Sequence, residues 1–306
     1  MSVSRYIPSL RLRTLPLSVS GIILGSGLAY HSVWQVRLSE SHFWIVFALA
    51  VCTTLCLQIV SNLSNELGDA LKGTDADQHG RAAYGLQAGT VTVPEMKRLI
   101  ALFVGLSVVF GTALVFTAFF GAPSLPFASS SARPVLPTLV FLGLGAMAII
   151  GAMTYTLGKH SYGYIGLGDL GVFLFFGLLS TLGAFYLQAQ TLSVEALCAA
   201  AAIGLPCVGV LNLNNIRDMN NDRAHGKHTF ASILGEQGAK LYHGCLLVVC
   251  MVLFACIGRW WTLCILPVWA WHTVYIFIHK NEQLDIQMPV LMLSTLAVAC
   301  LACIPS

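Results

Sequence analysis

Two short stretches of the sequence concentrate asparagine and aspartate at helical spacing. In the first, Asn62, Asn65 and Asp69 follow one another at i, i+3 and i+7, so that they would share one face of a helix. The second stretch has the same character, with a polar residue every fourth position: Asn214, Asp218 and Asp222. Both contain Asn-x-x-x-Asp directly after an apolar segment, which hints at two related halves.

Such clusters suit the binding of a diphosphate through a divalent metal. Carboxylates alone would repel this anion, whereas Mg²⁺ favours oxygen ligands and typically bridges one or two carboxylates to substrate phosphates. Two clusters that face each other would clamp the diphosphate and stabilise the charge that develops on it when a carbon–oxygen bond breaks. Cationic side chains within the same stretches would bind phosphate oxygens directly: Lys72, Arg217, Arg223 and Lys227.

The alternative interpretation is that these acids are solvated loop charges or helix caps. A single acid such as Glu282 or Asp285 fits that interpretation. The paired clusters do not fit it well, because acids at a membrane edge are costly and usually functional. The pattern also recurs at equivalent helix ends.

The composition requires a membrane environment. Hydrophobic residues make up 57% of the 306 residues and charged residues only 9%, whereas a soluble domain carries about 25% charged residues. We therefore expect membrane lipids around an all-α, polytopic protein. We expect no nucleic-acid partner, and the oligomeric state stays open.

Charge-free intervals predict nine membrane-spanning helices, each needing about 20 residues. They are residues 14–36, 41–65, 99–132, 134–158, 170–194, 196–216, 241–258, 260–278 and 286–306. The third is too long for one helix, so we expect its end, residues 121–132, to be a loop. With the N-terminus in the cytoplasm, all sixteen Lys and Arg residues except Arg37, Arg133 and Arg259 lie on the cytoplasmic side.

The polar loops are unequal under this topology. The richest, residues 66–97 and 217–240, and a third, residues 158–169, all fall on the cytoplasmic side. The C-terminus then lies outside. We expect one domain, residues 1–306, with its functional site where these loops converge over a cavity between the helices.

Several stretches resemble the UbiA superfamily of membrane prenyltransferases. The most specific are SNLSNELGDALKGTD at residues 61–75, GLQAGTVTVPEMKR at 85–98, YTLGKHSYGYIGLGDLGVFLFFG at 155–177 and VLNLNNIRDMNNDRAHGKHT at 210–229. Within the superfamily they look most similar to the branch that prenylates 1,4-dihydroxy-2-naphthoate. One departure is Glu66, where the family more often has Asp. Asp75, which lies beyond Gly73, has the spacing typical of the naphthoate branch.

The resemblance implies a nine-helix bundle around a central cavity and a transfer reaction that uses Mg²⁺. A polyprenyl diphosphate would ionise to an allylic cation, and the acceptor ring would attack it and lose its carboxylate, giving demethylmenaquinone in a bacterial inner membrane. The implied metal ligands are Asn65, Glu66, Asp69, Asp75, Asp218 and Asp222, of which Asn65, Asp69, Asp218 and Asp222 are the implied catalytic residues.

The resemblance also suggests general binding roles for further residues. Asn62, Asn214, Asn215 and Lys159 are candidates for the diphosphate, and Tyr155, His160, Asp169, Arg11 and Arg13 for the acceptor. Tyr155 and Lys159 would be one turn apart at the end of the fourth helix. Lys159, Arg11 and Arg13 also fit simple membrane anchors, and Asp169 fits a favourable charge at a helix N-terminus.

Two alternatives to a naphthoate prenyltransferase remain open from the sequence. One is a prenyltransferase for another aromatic acceptor, such as 4-hydroxybenzoate. The other is a secondary transporter, although transporters place their polar sites near the bilayer midplane. Here the charged residues crowd one face and the apolar intervals contain none.

Overall fold

The computed structural model describes residues 3–33, 40–74, 83–121, 134–159 and 161–305, and within these ranges the regular structure is entirely helical. The described residues form nine long helices. They are α1 (Leu15–Val33), α2 (Glu40–Lys72), α3 (Val93–Phe120), α4 (Val135–Thr154), α5 (Gly168–Ala189), α6 (Val194–Arg217), α7 (Phe230–Cys256), α8 (Leu266–Ile278) and α9 (Gln287–Ala302).

Short helical turns precede or follow several of these helices. They are Val3–Tyr6, Ile7–Leu10, Leu12–Thr14, Tyr162–Tyr164, Met219–Ala224, Trp260–Ile265 and Asn281–Ile286. Together with the turns before α1, α8 and α9, the nine helices are each long and apolar enough to cross a bilayer. The prediction of an all-α bundle with nine spans is therefore confirmed for the described part of the chain. Most of the expected loop at residues 121–132 lies outside the described residues.

The helices pack as two connected groups around a cavity. In one group α2 lies against α3, and in the other α6 lies against α7, with α9 packed on both α1 and α6. Helix α1 joins the groups by also packing on the end of α5. The core of the second group is built from small and branched apolar side chains of α1, α6, α7 and α9, such as Ala199, Ile203 and Leu291.

The cavity between the groups has a volume of about 540 Å³ and is long. On α2 its wall runs from Ala50 to Asp69, a distance of about 28 Å at 1.5 Å per helical residue. Its deeper walls are apolar, with Val115, Phe141 and Leu187 among them, whereas polar residues gather around Asp69. The bundle thus places a polar mouth at one end of an apolar channel.

One glycine allows α5 and α6 to touch along this channel. The middle of α5, Phe173–Leu179, is a π-helical segment, and such wide turns are frequent at functional sites. A Cβ atom on Gly177 would lie 2.7 Å from the Cα atom of Gly204 in α6. Only glycine therefore permits this backbone contact, which holds Phe175 and Phe176 on the cavity wall.

This contact predicts opposite outcomes for two matched substitutions. Gly177→Ala should lower the apparent Tm of the protein in detergent, because overpacking typically costs about 1–3 kcal/mol. Gly105→Ala is the control, since a Cβ atom there meets no other atom within 4 Å and alanine favours helix more than glycine does. A Tm for Gly177→Ala equal to that of Gly105→Ala would contradict the close contact.

Candidate functional site

The end of α2 forms one side of the cavity mouth. Gly73 adopts φ +76° just after the helix, and the Thr74 N–H donates to the Asp69 carbonyl oxygen at 3.0 Å, which is the capping geometry that glycine favours. Asp69 therefore lies in a well-defined last turn. The three residues predicted to share a face, Asn62, Asn65 and Asp69, all line the cavity.

Glu66 points elsewhere. It is fully buried, and its Oε1 accepts hydrogen bonds from the Ser9 hydroxyl at 3.2 Å and from the Leu86 N–H at 2.7 Å. Because neighbouring residues on a helix diverge by about 100°, Glu66 cannot share the cavity face of Asn65. Its contacts tie the N-terminal turns to the segment after α2. Asp75, the other implied ligand of this stretch, lies outside the described residues.

The end of α6 forms the second side, where Asn214 lines the cavity, whereas Asp218 and Asp222 are buried and do not line it. Arg217 donates from Nε and Nη2 to the two carboxylate oxygens of Asp218, each at 2.7 Å, and from Nη2 to the Asn214 Oδ1 at 2.8 Å. Such two-point pairing fixes a carboxylate firmly. The donors of Arg217 are thus engaged within the protein, which assigns it to holding Asp218 rather than to direct contact with phosphate. Asn215 is buried and does not line the cavity.

Lys227 lies between the acids of the two stretches. Its Nζ is 3.3 Å from the Asp222 Oδ1, and the lysine lines the cavity that Asp69 also lines. Burial by itself would lower the pKa of Lys227, but the negative charges of Asp69 and Asp222 outweigh it and raise that pKa. Lys227 therefore stays charged at neutral pH and offers a fixed cation at the mouth.

Asp222 is a buried acid with one uncommitted oxygen. Burial raises its pKa to about 6, with Lys227 opposing the shift and Asp218 adding to it. Its Oδ2 is buried and has no hydrogen-bond partner among the described residues. A hard cation would satisfy this oxygen, so the donor set fits the expected Mg²⁺.

Tyr164 joins the loops around these acids, and sequence reasoning missed it. Its hydroxyl donates to the Asp69 Oδ1 at 2.8 Å and accepts from the Thr74 hydroxyl at 2.7 Å. The Lys72 Nζ lies 3.6 Å from the centre of its ring, and that of Lys227 lies at 5.5 Å. Burial raises the pKa of Tyr164, which keeps the hydroxyl protonated as a donor. Its position in a glycine-rich loop gave no charge pattern that would have identified it.

Three predicted diphosphate residues have other contacts or lie away from the cavity. The Asn62 amide nitrogen donates to the Leu10 carbonyl oxygen at 2.9 Å and to the Thr14 hydroxyl at 3.0 Å, anchoring the start of α1. Arg223 is exposed, and its Nη2 donates to the Ser232 carbonyl oxygen at 2.7 Å. Lys159 is exposed and does not line the cavity.

The expected pairing of Tyr155 with Lys159 on one helical turn is wrong. Helix α4 ends at Thr154, and Gly158 adopts φ +91°. That left-handed residue redirects the chain, and Tyr155 lines the cavity while Lys159 is exposed and does not. His160 lies outside the described residues.

The candidate acceptor residues divide between the mouth and the second group of helices. Arg11 and Arg13 line the cavity, and the Arg11 guanidinium lies 3.9 Å from the centre of the Tyr84 ring. Arg13 is paired with Asp285, its Nη1 being 3.0 Å from the Asp285 Oδ2. Asp169 instead lies beside Tyr242 of α7 and does not line the cavity.

The oxygen-rich mouth is not a closed metal cage. Within the described ranges, no three His, Cys, Asp or Glu side chains are close enough to hold a metal by themselves. This matches the way Mg²⁺ is usually bound, through one or two carboxylates together with the phosphates of a substrate. Fold and site together define a multi-pass membrane protein with an apolar channel, whose mouth is lined by Asn65, Asp69 and the buried Lys227.

Comparisons with known proteins agree with this class. The model of the UbiA prenyltransferase family matches residues 22–296. The 1,4-dihydroxy-2-naphthoate octaprenyltransferase of Escherichia coli (strain K12) is 43% identical over 252 residues, which are 81% of this chain and 75% of that protein. The Haemophilus influenzae protein of the same name is 34% identical and covers 89% of this chain and 85% of its own length. The chain belongs to the UbiA prenyltransferase family.

Solved structures show the same fold at lower identity. The apo structure of a UbiA homologue from Aeropyrum pernix K1 matches 98% of both chains with a TM-score of 0.64 and 17% identity. A UbiA homologue from Archaeoglobus fulgidus, solved with DMAPP and Mg²⁺ bound, matches 97% of this chain and 99% of its own, with a TM-score of 0.60 and 16% identity.

The pairing of Lys227 with Asp222 predicts a pH-dependent stability. The pKa of Asp222 is about 4 in an unfolded chain and about 6 in the folded protein. Between these values the folded state binds more protons, so its stability falls as the pH rises. Lys227→Met removes the charge that restrains this pKa, and we expect the fall to continue to higher pH than in wild type.

The measurement is the apparent Tm in metal-free detergent solution as a function of pH. Lys159→Met is the control, because it removes an exposed lysine that does not line the cavity. Its curve should run parallel to that of the wild type. A parallel curve for Lys227→Met as well would contradict the coupling.

Proposed function

We propose that the protein transfers a polyprenyl chain from polyprenyl diphosphate to 1,4-dihydroxy-2-naphthoate, with loss of the ring carboxylate, to give the prenylated naphthohydroquinone, the reduced form of demethylmenaquinone, for menaquinone biosynthesis. The observation that carries this proposal is the buried Lys227, held among Asp69 and Asp222 at the mouth of a long apolar cavity. The two bacterial relatives that share the naphthoate name support the acceptor.

In this proposal the diphosphate lies at the mouth between the ends of α2 and α6. Lys227 binds its oxygens, and Asn65, Asp69, Asp218 and Asp222 supply the oxygen ligands for Mg²⁺. When bound, Mg²⁺ would supply positive charge for the leaving diphosphate. Tyr164 and Arg217 keep Asp69 and Asp218 in position through the bonds described above.

The acceptor in this proposal lies beside Arg11 and Arg13, which bind its carboxylate. The allylic carbon–oxygen bond breaks, and its electron pair leaves with the diphosphate. The ring carbon that carries the carboxylate then bonds to the allylic cation. Release of carbon dioxide returns the electrons of the broken carbon–carbon bond to the ring, so no base has to remove a ring proton.

Purified protein tests the reaction directly. With polyprenyl diphosphate and Mg²⁺, we expect carbon dioxide to be released from carboxyl-labelled 1,4-dihydroxy-2-naphthoate in equal amount to the prenylated product. The same assay with 4-hydroxybenzoate tests the alternative acceptor. Turnover of 4-hydroxybenzoate but not of the naphthoate would overturn the proposed substrate while leaving the transfer chemistry intact.

The proposed roles of the acids predict a loss of turnover. Asp69→Ala and Asp222→Ala should each lower kcat by about 100- to 1000-fold, the usual cost of removing a contact that stabilises transition-state charge. Glu40→Ala is the control, since Glu40 is an exposed acid at the opposite end of α2 from Asp69. Values of kcat within a few-fold of wild type in well-folded Asp69→Ala would remove Asp69 from the mechanism.

We further propose that the protein lies in a bacterial inner membrane with its N-terminus in the cytoplasm and its C-terminus outside. The excess of Lys and Arg in the loops that carry the mouth supports this orientation. The mouth then opens toward the cytoplasm, so that the diphosphate of the donor and the carboxylate of the acceptor can reach it from water.

Cysteine labelling in intact cells tests the orientation. In a background whose exposed native cysteines are replaced, Ala224→Cys near the mouth should be protected from an impermeant thiol reagent, and Thr191→Cys between α5 and α6 should react. Both positions are exposed and lie in connections at opposite ends of α6. The reverse labelling pattern would show that the mouth faces outward.

A further inference from the structure

Asp285 is the carboxylate at which an arginine of the cavity wall, Arg13, and a buried arginine at the end of α6, Arg217, meet. It lies in the turn Asn281–Ile286 that leads into α9. Its Oδ1 accepts a hydrogen bond from the Arg217 Nη1, and its Oδ2 accepts one from the Arg13 Nη1 at 3.0 Å. The Arg13 Nη2 lies 3.3 Å from the Oδ1 as well. A residue that the sequence suggests to be a solvated loop charge therefore bridges α6 to the N-terminal turns.

The two arginines differ in how freely they can exchange this partner. The side chain of Arg217 is 2% exposed, and its other donors hold Asp218 and Asn214. The side chain of Arg13 is 37% exposed and lines the cavity. Breaking the inner pair would leave the buried Nη1 donor of Arg217 without its hydrogen-bond partner, which is costly, whereas an exposed pair contributes little.

We propose that Asp285 is a positioning residue that holds Arg217 throughout the reaction and holds Arg13 only until the carboxylate of the acceptor replaces it. This inference rests on the proposed function, in which Arg13 binds that carboxylate. The Arg13 fork aligns two N–H donors with the two oxygens of Asp285, which is the geometry that any other carboxylate would require. Asp285 thus engages Arg13 in the same way as the carboxylate of the acceptor would.

The exchange leaves each arginine with a carboxylate partner at every stage, and Arg217 also keeps Asp218 throughout. Before the acceptor arrives, Asp285 compensates Arg13 and Arg217 together. Afterwards the acceptor carboxylate compensates Arg13, and Asp285 remains with Arg217. The Arg13 Nη2 also donates a hydrogen bond to the Tyr84 hydroxyl at 3.4 Å. This contact keeps the guanidinium at the cavity wall when it changes its carboxylate partner.

Asp285→Asn separates these two roles in one variant. It keeps the shape of the side chain but removes the charge that competes for Arg13, so the KM for 1,4-dihydroxy-2-naphthoate should fall about two- to fivefold, the equivalent of an exposed ion pair. The support of Arg217 also weakens, so kcat should fall about tenfold, as is typical when a residue behind a metal ligand is lost. A merely structural residue would not lower a KM.

Binding without turnover gives the decisive comparison. Asp285→Asn should tighten the dissociation constant of 1,4-dihydroxy-2-naphthoate and leave that of 1,4-dihydroxynaphthalene, which lacks the carboxylate, unchanged. Glu282→Gln is the control, because Glu282 is an exposed acid of the same helical turn and its loss should change neither value. Asp285→Glu, which retains the charge, should keep the wild-type affinity for the naphthoate.

The outcomes distinguish this inference from the function on which it rests. If wild type turns over the naphthoate but Asp285→Asn leaves its dissociation constant unchanged, or shifts both ligands equally, the exchange at Arg13 is wrong and the function stands. If Asp285→Asn does not fold, looser naphthoate binding by Asp285→Glu would overturn the exchange. Wild type that binds but never prenylates the naphthoate would instead overturn the proposed function.

Discussion

The ammonium group of Lys227 balances the charges at the mouth of the cavity. Asp69 lies in the last turn of α2, Asp222 lies beyond α6, and both carboxylates interact with a lysine that burial alone would tend to neutralise. Without that cation, acids from the two halves of the bundle would repel each other in a poorly solvated space. Lys227 therefore offsets the repulsion that would oppose bringing the ends of α2 and α6 together.

The site also requires residues that hold its side chains in place, because loops position side chains poorly. Two of the residues around Lys227, Tyr164 and Asp222, come from connections between helices, and a site built on loops is less precise than one built on helices. Tyr164 compensates by bonding to Asp69 and placing its ring beside Lys72. Arg217 does the same for Asp218 from the end of α6. The side chains that would contact a substrate are thus held by others that do not.

How far the sequence predicts this molecule depends on the kind of signal. Apolar intervals and helical spacing are local, so the nine helices and the shared face of Asn65 and Asp69 could be read directly. Tyr164 and Asp285 could not, because their roles depend on partners far away in the chain, such as Arg13 at a separation of 272 residues. The break after α4 was missed because the φ of Gly158 is a property of the folded loop and not of composition.

The length of the cavity has a consequence for how a prenyl substrate is chosen. The channel runs along α2 through most of the thickness of a hydrocarbon core of about 30 Å. An isoprenoid tail dissolved in the bilayer is already out of water, and lipid is as apolar as the channel wall. Entering the channel therefore releases little hydrophobic free energy, whatever the number of isoprene units. Affinity has to come from the charged head, and tails of different length can be distinguished only by shape.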